Sequence, residues 1–86
     1  MRVIYHPKFA REYKKLPDKI KDLAEDKERL FRADPFHPQL KAHKLKGALK
    51  DFWSFSVTQK YRVIFDFADR QTARFYSVGD HDIYDI

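Results

Sequence analysis

The apolar positions of this chain change period twice. Arg2 to Tyr5 alternate, with Val3 and Tyr5 on one face, which predicts a short strand. His6-Pro7 breaks that pattern, and Pro7 suits the first turn of a helix, where its missing N–H costs nothing. Phe9, Tyr13 and Leu16 then recur at helical spacing, so residues 8–16 read as a helix that Pro17 ends. A second helix runs to about Ala33, with Ile20, Leu23, Ala24, Lys27, Leu30 and Phe31 as its inward stripe. Its outer face carries Asp22, Glu25, Asp26, Glu28, Arg29 and Arg32. Asp34-Pro35 stops it, because a residue before proline is pushed out of the α region. Periodicity is lost over residues 35–47, a connector long enough in so small a chain to suggest function. Beyond it, Phe52 to Val57, Tyr61 to Phe67 and Thr72 to Val78 are rich in aromatic and β-branched residues. They are separated by short polar turns, which predicts an antiparallel meander of three strands. The order β-α-α-β-β-β predicts one α+β domain over residues 1–86, a helical hairpin packed on one face of a twisted sheet. The first strand is expected to join the meander at an edge.

Composition narrows the chemistry. The chain has no cysteine, which excludes disulfides, thiolate metal sites and a cysteine nucleophile together, and fits a reducing compartment. No apolar run approaches the roughly 20 residues that span a membrane, and the first residues do not read as a secretory signal, so a cytoplasmic protein is expected. Glycine occurs only at positions 47 and 79, too few for a phosphate-cradling loop, and the serines sit in strand patterns without an elbow motif. His and acidic residues are too scattered for a convincing metal cluster, and neither a metal nor another cofactor is expected.

Charge is more informative because it is uneven. The net charge is +5, yet residues 1–50 hold 14 basic and 7 acidic side chains, a net of +7, whereas residues 51–86 hold 4 and 6, a net of −2. Lys41, His43, Lys44, Lys46 and Lys50 form a run without a single acid. A positive patch of this kind attracts phosphate chains by counterion release; a solvated basic loop has the same composition.

Four pieces in order, His43-Lys44-Leu45-Lys46-Gly47, the aromatic strand after it, Tyr61-Arg62-Val63-Ile64-Phe65, and Val78-Gly79-Asp80-His81-Asp82-Ile83-Tyr84, resemble the RelE/ParE toxin superfamily, nearest to its RelE/YafQ-like branch. The helical hairpin fits as well, so the resemblance covers nearly the whole chain. It implies the toxin of a type II toxin-antitoxin system that cleaves messenger RNA in the ribosomal A site, bound by a cognate antitoxin. The superfamily also contains ParE-like toxins that poison DNA gyrase without RNase activity. A member reduced to antitoxin binding is a further alternative.

Metal-independent RNA cleavage needs a base for the 2′-hydroxyl, cations for the charge growing on the phosphate, and an acid for the 5′-oxygen. Arg62 lies mid-strand on the face opposite Tyr61, Val63, Phe65 and Phe67, where a guanidinium can grip a phosphate with two parallel hydrogen bonds. The resemblance matches it to the arginine that stabilises the transition state; the alternative is a cross-strand ion pair with Asp66 or another acid. His81, just past the last strand, has a side chain whose ordinary pKa suits proton transfer near neutrality. YafQ-like relatives carry a histidine there; an exposed turn histidine is the plain alternative. Tyr84 matches the family's C-terminal tyrosine, which stacks on a base or shares in proton transfer, though it could equally pack the terminus. Lys44 and Lys46 are candidate holders of the RNA backbone, His43 a second proton shuttle, and Trp53 either a stacking surface or core. One departure from RelE stands out. That toxin has lysines at alternating positions on the preceding strand, where this chain has Trp53, Phe55 and Val57.

Overall fold

The computed structural model describes residues 1–80; the predicted catalytic residues His81 and Tyr84 lie outside them. The elements are β1 (Arg2–Tyr5), α1 (Pro7–Lys14), α2 (Asp18–Ala33), β2 (His43–Lys44), β3 (Trp53–Ser56), β4 (Arg62–Asp69) and β5 (Thr72–Gly79), with 3-10 turns at Pro38–Leu40 and Gly47–Leu49. The sheet is ordered β1-β5-β4-β3-β2. The meander β3-β4-β5 is antiparallel, and β1 lies parallel to β5 at one edge, pairing Arg2 with Thr72 and Tyr5 with Phe75. The expected α+β architecture is therefore present, with its helices on one face of the sheet.

Two features depart from the sequence reading. Residues 35–47 are not a structureless connector. They hold a 3-10 turn, capped by the His37 imidazole accepting from Gln39 N–H at 3.1 Å, and the two-residue strand β2. Strand β2 makes the sheet five-stranded, pairing His43 with Ser54 and Lys44 with Trp53. Two residues are too few to show any period, which is why the pattern missed them. The second departure is a bulge in β5. Ser77 pairs with Ile64 and Phe75 with Phe65, leaving Tyr76 as the extra residue. That one-residue slip lets Phe75 and Val78 both reach the core, where strict alternation would have placed Phe75 with Ser77.

The core explains the aromatic content. Phe31 of α2 is fully buried and its ring lies 5.2 Å from Phe55, 4.9 Å from Phe65 and 5.2 Å from Phe75. One helical residue thus seals all three strands of the meander. Leu40, also fully buried, pins the connector to the same core. Among the described residues, no helix is long and apolar enough to cross a membrane.

Beyond β1, helix α1 takes over the exposed edge of β5. The His6 side chain caps this helix, accepting from Lys8 N–H at 3.1 Å. The Glu12 carboxylate then accepts from the Ser77 hydroxyl at 2.7 Å and from Val78 N–H at 3.2 Å, satisfying a strand amide that β1 is too short to reach. Lys8 Nζ donates to both Glu12, at 3.0 Å, and Ser77 Oγ, at 2.9 Å. Desolvation raises the Glu12 carboxyl, but the hydrogen bonds from Ser77, Lys8 and Val78 together hold its pKa below the usual carboxylate value. A carboxyl with a depressed folded pKa stabilises fully above its unfolded pKa and loses that contribution as pH falls through the folded value. Glu12→Ala is therefore expected to cost about 2 kcal/mol at pH 7. The difference from wild type should shrink in urea unfolding below about pH 4. Glu12→Gln, whose amide oxygen still accepts from Ser77 and Val78, should lose less. A difference that is the same at pH 7 and pH 3 would exclude an ionised clamp.

Candidate nucleic-acid interface

The sheet face turned away from the core cluster carries Ser54 and Ser56 of β3, Arg62 and Ile64 of β4 and Ser77 of β5, set by the pairings Ser54↔Ile64, Ser56↔Arg62 and Ile64↔Ser77. Directly opposed residues in antiparallel strands point to one side, so His43, opposite Ser54, joins this face. Arg62 and His43 therefore lie on the same side of the sheet, one row and two strands apart, with buried Ser54, Ser56 and Ile64 between them. Trp53 does not. It is the cross-strand partner of Phe65, and its indole packs against Phe36 at 5.4 Å, Phe67 at 6.1 Å and Phe65 at 6.4 Å. As a stacking surface beside Arg62, Trp53 is thus corrected to a half-buried part of the core layer. The β3 residues that share Arg62's face are Ser54 and Ser56, whereas Trp53, Phe55 and Val57 belong to the core side.

Arg62 opens β4 and is half-buried. Its guanidinium donates to the Ser56 hydroxyl and, at 3.4 Å, to the Gln59 carbonyl. The predicted ion pair with Asp66 is not formed. Asp66 is held by Arg74, whose Nε and Nη2 both lie 2.8 Å from its carboxylate oxygens. Among the described residues no carboxylate forms an ion pair with Arg62. A guanidinium has five N–H donors, so the two neutral acceptors fix its direction without neutralising it, and its ion-pairing capacity is not used among the described residues. Its other cross-strand neighbour is Gly79, which His81 follows by two positions in the sequence.

Lys44 and Lys46 are exposed, Lys44 on β2 and Lys46 just before the 3-10 turn. Gly47 begins that turn at φ +68, a left-handed conformation that costs glycine little and keeps the basic strip compact. The His43 ring nitrogen Nδ1 lies 3.3 Å from the Lys41 carbonyl, which leaves Nε2 turned to other partners.

One concavity lies on the helical side of the molecule and another beside Arg62. A groove of about 480 Å³ between β1, α1 and α2 is lined by Tyr5, Phe9, Tyr13, Glu25, Glu28 and Arg32, among others. Several of its charged groups are engaged within the groove. Glu28 accepts from Tyr5 and pairs with Arg32 at 3.1 Å, and burial together with the Glu25 carboxylate pushes the Tyr13 phenol up to about 12. A smaller notch of about 270 Å³ lies at the β3–β4 turn beside Arg62, lined by Lys27, Gln39, Lys41, Ser56, Gln59 and Arg62 among others, with no acid in its wall. Lys27 and Lys41 were not singled out from the sequence as site residues. Among the described residues, no group of three or more His, Asp and Glu side chains is placed to hold a metal ion.

No protein-family model matches the sequence, and no curated protein matches it. Solved structures do. The fold is that of the RelE/ParE toxins. A YoeB/ParE toxin from Agrobacterium tumefaciens superposes with a TM-score of 0.80 at 19% identity, covering 94% of this chain and 99% of that one. YafQ from E. coli matches with a TM-score of 0.74 at 19% identity over 98% of each chain. A heterotetrameric YoeB-YefM toxin-antitoxin complex from Staphylococcus aureus contains a chain matching with a TM-score of 0.76 at 16% identity, over 94% of this chain and 97% of that one.

Proposed function

We propose that this protein is the toxin of a toxin-antitoxin pair and that it cleaves messenger RNA in the ribosomal A site. The observation that carries this reading is the state of Arg62. It is a half-buried arginine aimed by a serine hydroxyl and a carbonyl, in no ion pair with a carboxylate among the described residues, on a sheet face shared with His43. Such a group stabilises the charge that gathers on a phosphate when the neighbouring 2′-hydroxyl attacks it and the 5′-oxygen departs. His81 shuttles the proton, with Tyr84 stacking or assisting, and exposed Lys46 holds the strand as a point charge, whereas Lys44, the partner of Trp53, points to the other side of the sheet. Solved toxins of this fold at full-chain coverage, one of them in a toxin-antitoxin complex, support the toxin role and an antitoxin partner. An acidic partner segment folding over the basic strip is the expected form of inhibition, and its affinity should fall as salt rises.

A gyrase-directed toxin is the second reading, because β3 carries no lysine, with Trp53 and Phe55 at the positions the resemblance matches to RelE's strand lysines. A translation assay with purified ribosomes separates the two. The expected result is truncated messenger with ends at A-site codons. Intact messenger together with accumulating DNA breaks in cells would assign the protein to gyrase instead.

A further inference from the structure

The geometry points to a second phosphate seat beside Arg62, formed by Lys27, Lys41 and Arg62, which holds the phosphate next to the cleaved one in single-stranded RNA. It deepens the reading of the Arg62 face as an RNA surface and depends on it.

Three observations converge. The first is where the cations come from. Lys27 projects from α2, Lys41 from the connector and Arg62 from β4, three segments that meet around one notch of about 270 Å³. That space is several times the roughly 30 Å³ share of one water, enough for a partly hydrated phosphodiester. The remaining wall is Ser56, Gln59 and other neutral groups, so three basic residues line one notch without an acid.

The second observation is Lys27 itself. It lies in the inward stripe of α2, and its neighbours three and four residues away are Leu23, Ala24, Leu30 and Phe31. None can pair with it along the helix. The nearby acids are engaged elsewhere, Asp26 with Arg29 and Glu28 with Arg32. A charged residue in an apolar stripe with no partner on its own helix is a costly choice for stability alone.

The third is Lys41. Among the described residues it is the only non-glycine with positive φ, at φ 51 and ψ 41. The reversal it makes lets buried Leu40 and half-buried Ala42 on either side both reach the core. Glycine or asparagine takes that conformation with less strain, yet the position carries a long cation that lines the notch. Backbone strain of this kind tends to collect at ligand-holding positions.

Lys41 also supplies a clean test. Lys41→Gly removes the cation and the strain together, so the variant should melt no lower than wild type while binding RNA more weakly. The probe is a hexameric 2′-O-methyl oligoribonucleotide, which lacks the attacking hydroxyl, followed by fluorescence anisotropy over a salt series. Lys41→Gly and Lys27→Gln are each expected to weaken binding roughly threefold to tenfold at moderate salt and to lower the salt slope by about one. Lys27→Arg, which keeps the charge, should retain binding and controls for any folding defect. Unchanged affinity and slope in both Lys41→Gly and Lys27→Gln would overturn the seat. So would tighter binding of an all-glutamate peptide of equal charge, which would make the notch a protein-docking site. Because the probe cannot be cleaved, weakened binding in the variants alongside intact messenger in the ribosome assay removes the nuclease reading and keeps the notch. Truncated messenger alongside unaltered binding does the reverse.

Discussion

Arg62→Ala is expected to lower messenger cleavage by about a hundredfold to a thousandfold, the usual cost of removing one preorganised donor to a developing oxyanion. The size of the effect follows from how the side chain is held. Its two neutral acceptors, Ser56 and the Gln59 carbonyl, orient the guanidinium without neutralising it. Alanine removes the charge and the fork at once. Arg62→Lys keeps a charge but not the planar pair of donors, so only a minor part of the rate should survive that change. Folding is not the cause, since the alanine change leaves one buried serine hydroxyl short of a partner, a loss of about 1–3 kcal/mol. The comparison is therefore made on folded protein, by quantifying truncated messenger in single-turnover reactions with ribosomes and by melting each variant alongside. Undiminished cleavage by folded Arg62→Ala would remove Arg62 from the mechanism.

The second large effect concerns stability. Phe31→Ala should cost about 3–5 kcal/mol, because the lost ring leaves a cavity that rigid neighbours cannot close. Phe31 has no exposed surface, and its contacts are three further phenylalanine rings, one on each strand of the meander. Edge-to-face geometry against Phe65 and Phe75 adds a directional term that an aliphatic side chain would not recover. A domain of this length is stabilised by only about 4–13 kcal/mol in total, so the variant should be close to unfolded at 37 °C. Urea unfolding gives the number directly. A loss below about 1 kcal/mol would mean that the three strands do not depend on α2 for their seal.

The two effects concern opposite faces of the sheet. The aromatic face fixes where the strands lie; the serine-lined face presents Arg62. The bulge at Tyr76 connects them, since it turns Val78 into the core and brings Ser77 opposite Ile64 on the other side. Glu12 then secures that end of β5 from α1. The placement of Arg62 is a consequence of core packing as much as of its own strand.

The sequence by itself determined the element types, the helical hairpin, the three meander strands and the exposure of the basic strip. Each of these is written in a local period or a charge run that neighbours in the chain can display. Arg62's face was legible for that reason, once Val63 and Phe65 were assigned to the core. Tertiary structure decided the rest. The parallel pairing of β1 with β5, the strand at His43–Lys44 and the bulge at Tyr76 depend on partners far along the chain, and two residues or a one-residue slip carry no period. Trp53 could be read as core or surface until Phe65 and Phe67 were placed beside it. The grouping of Lys27 and Lys41 with Arg62 was the least legible of all. A lysine in an apolar stripe hints at a purpose, but only the meeting of a helix, a connector and a strand shows which charges it faces.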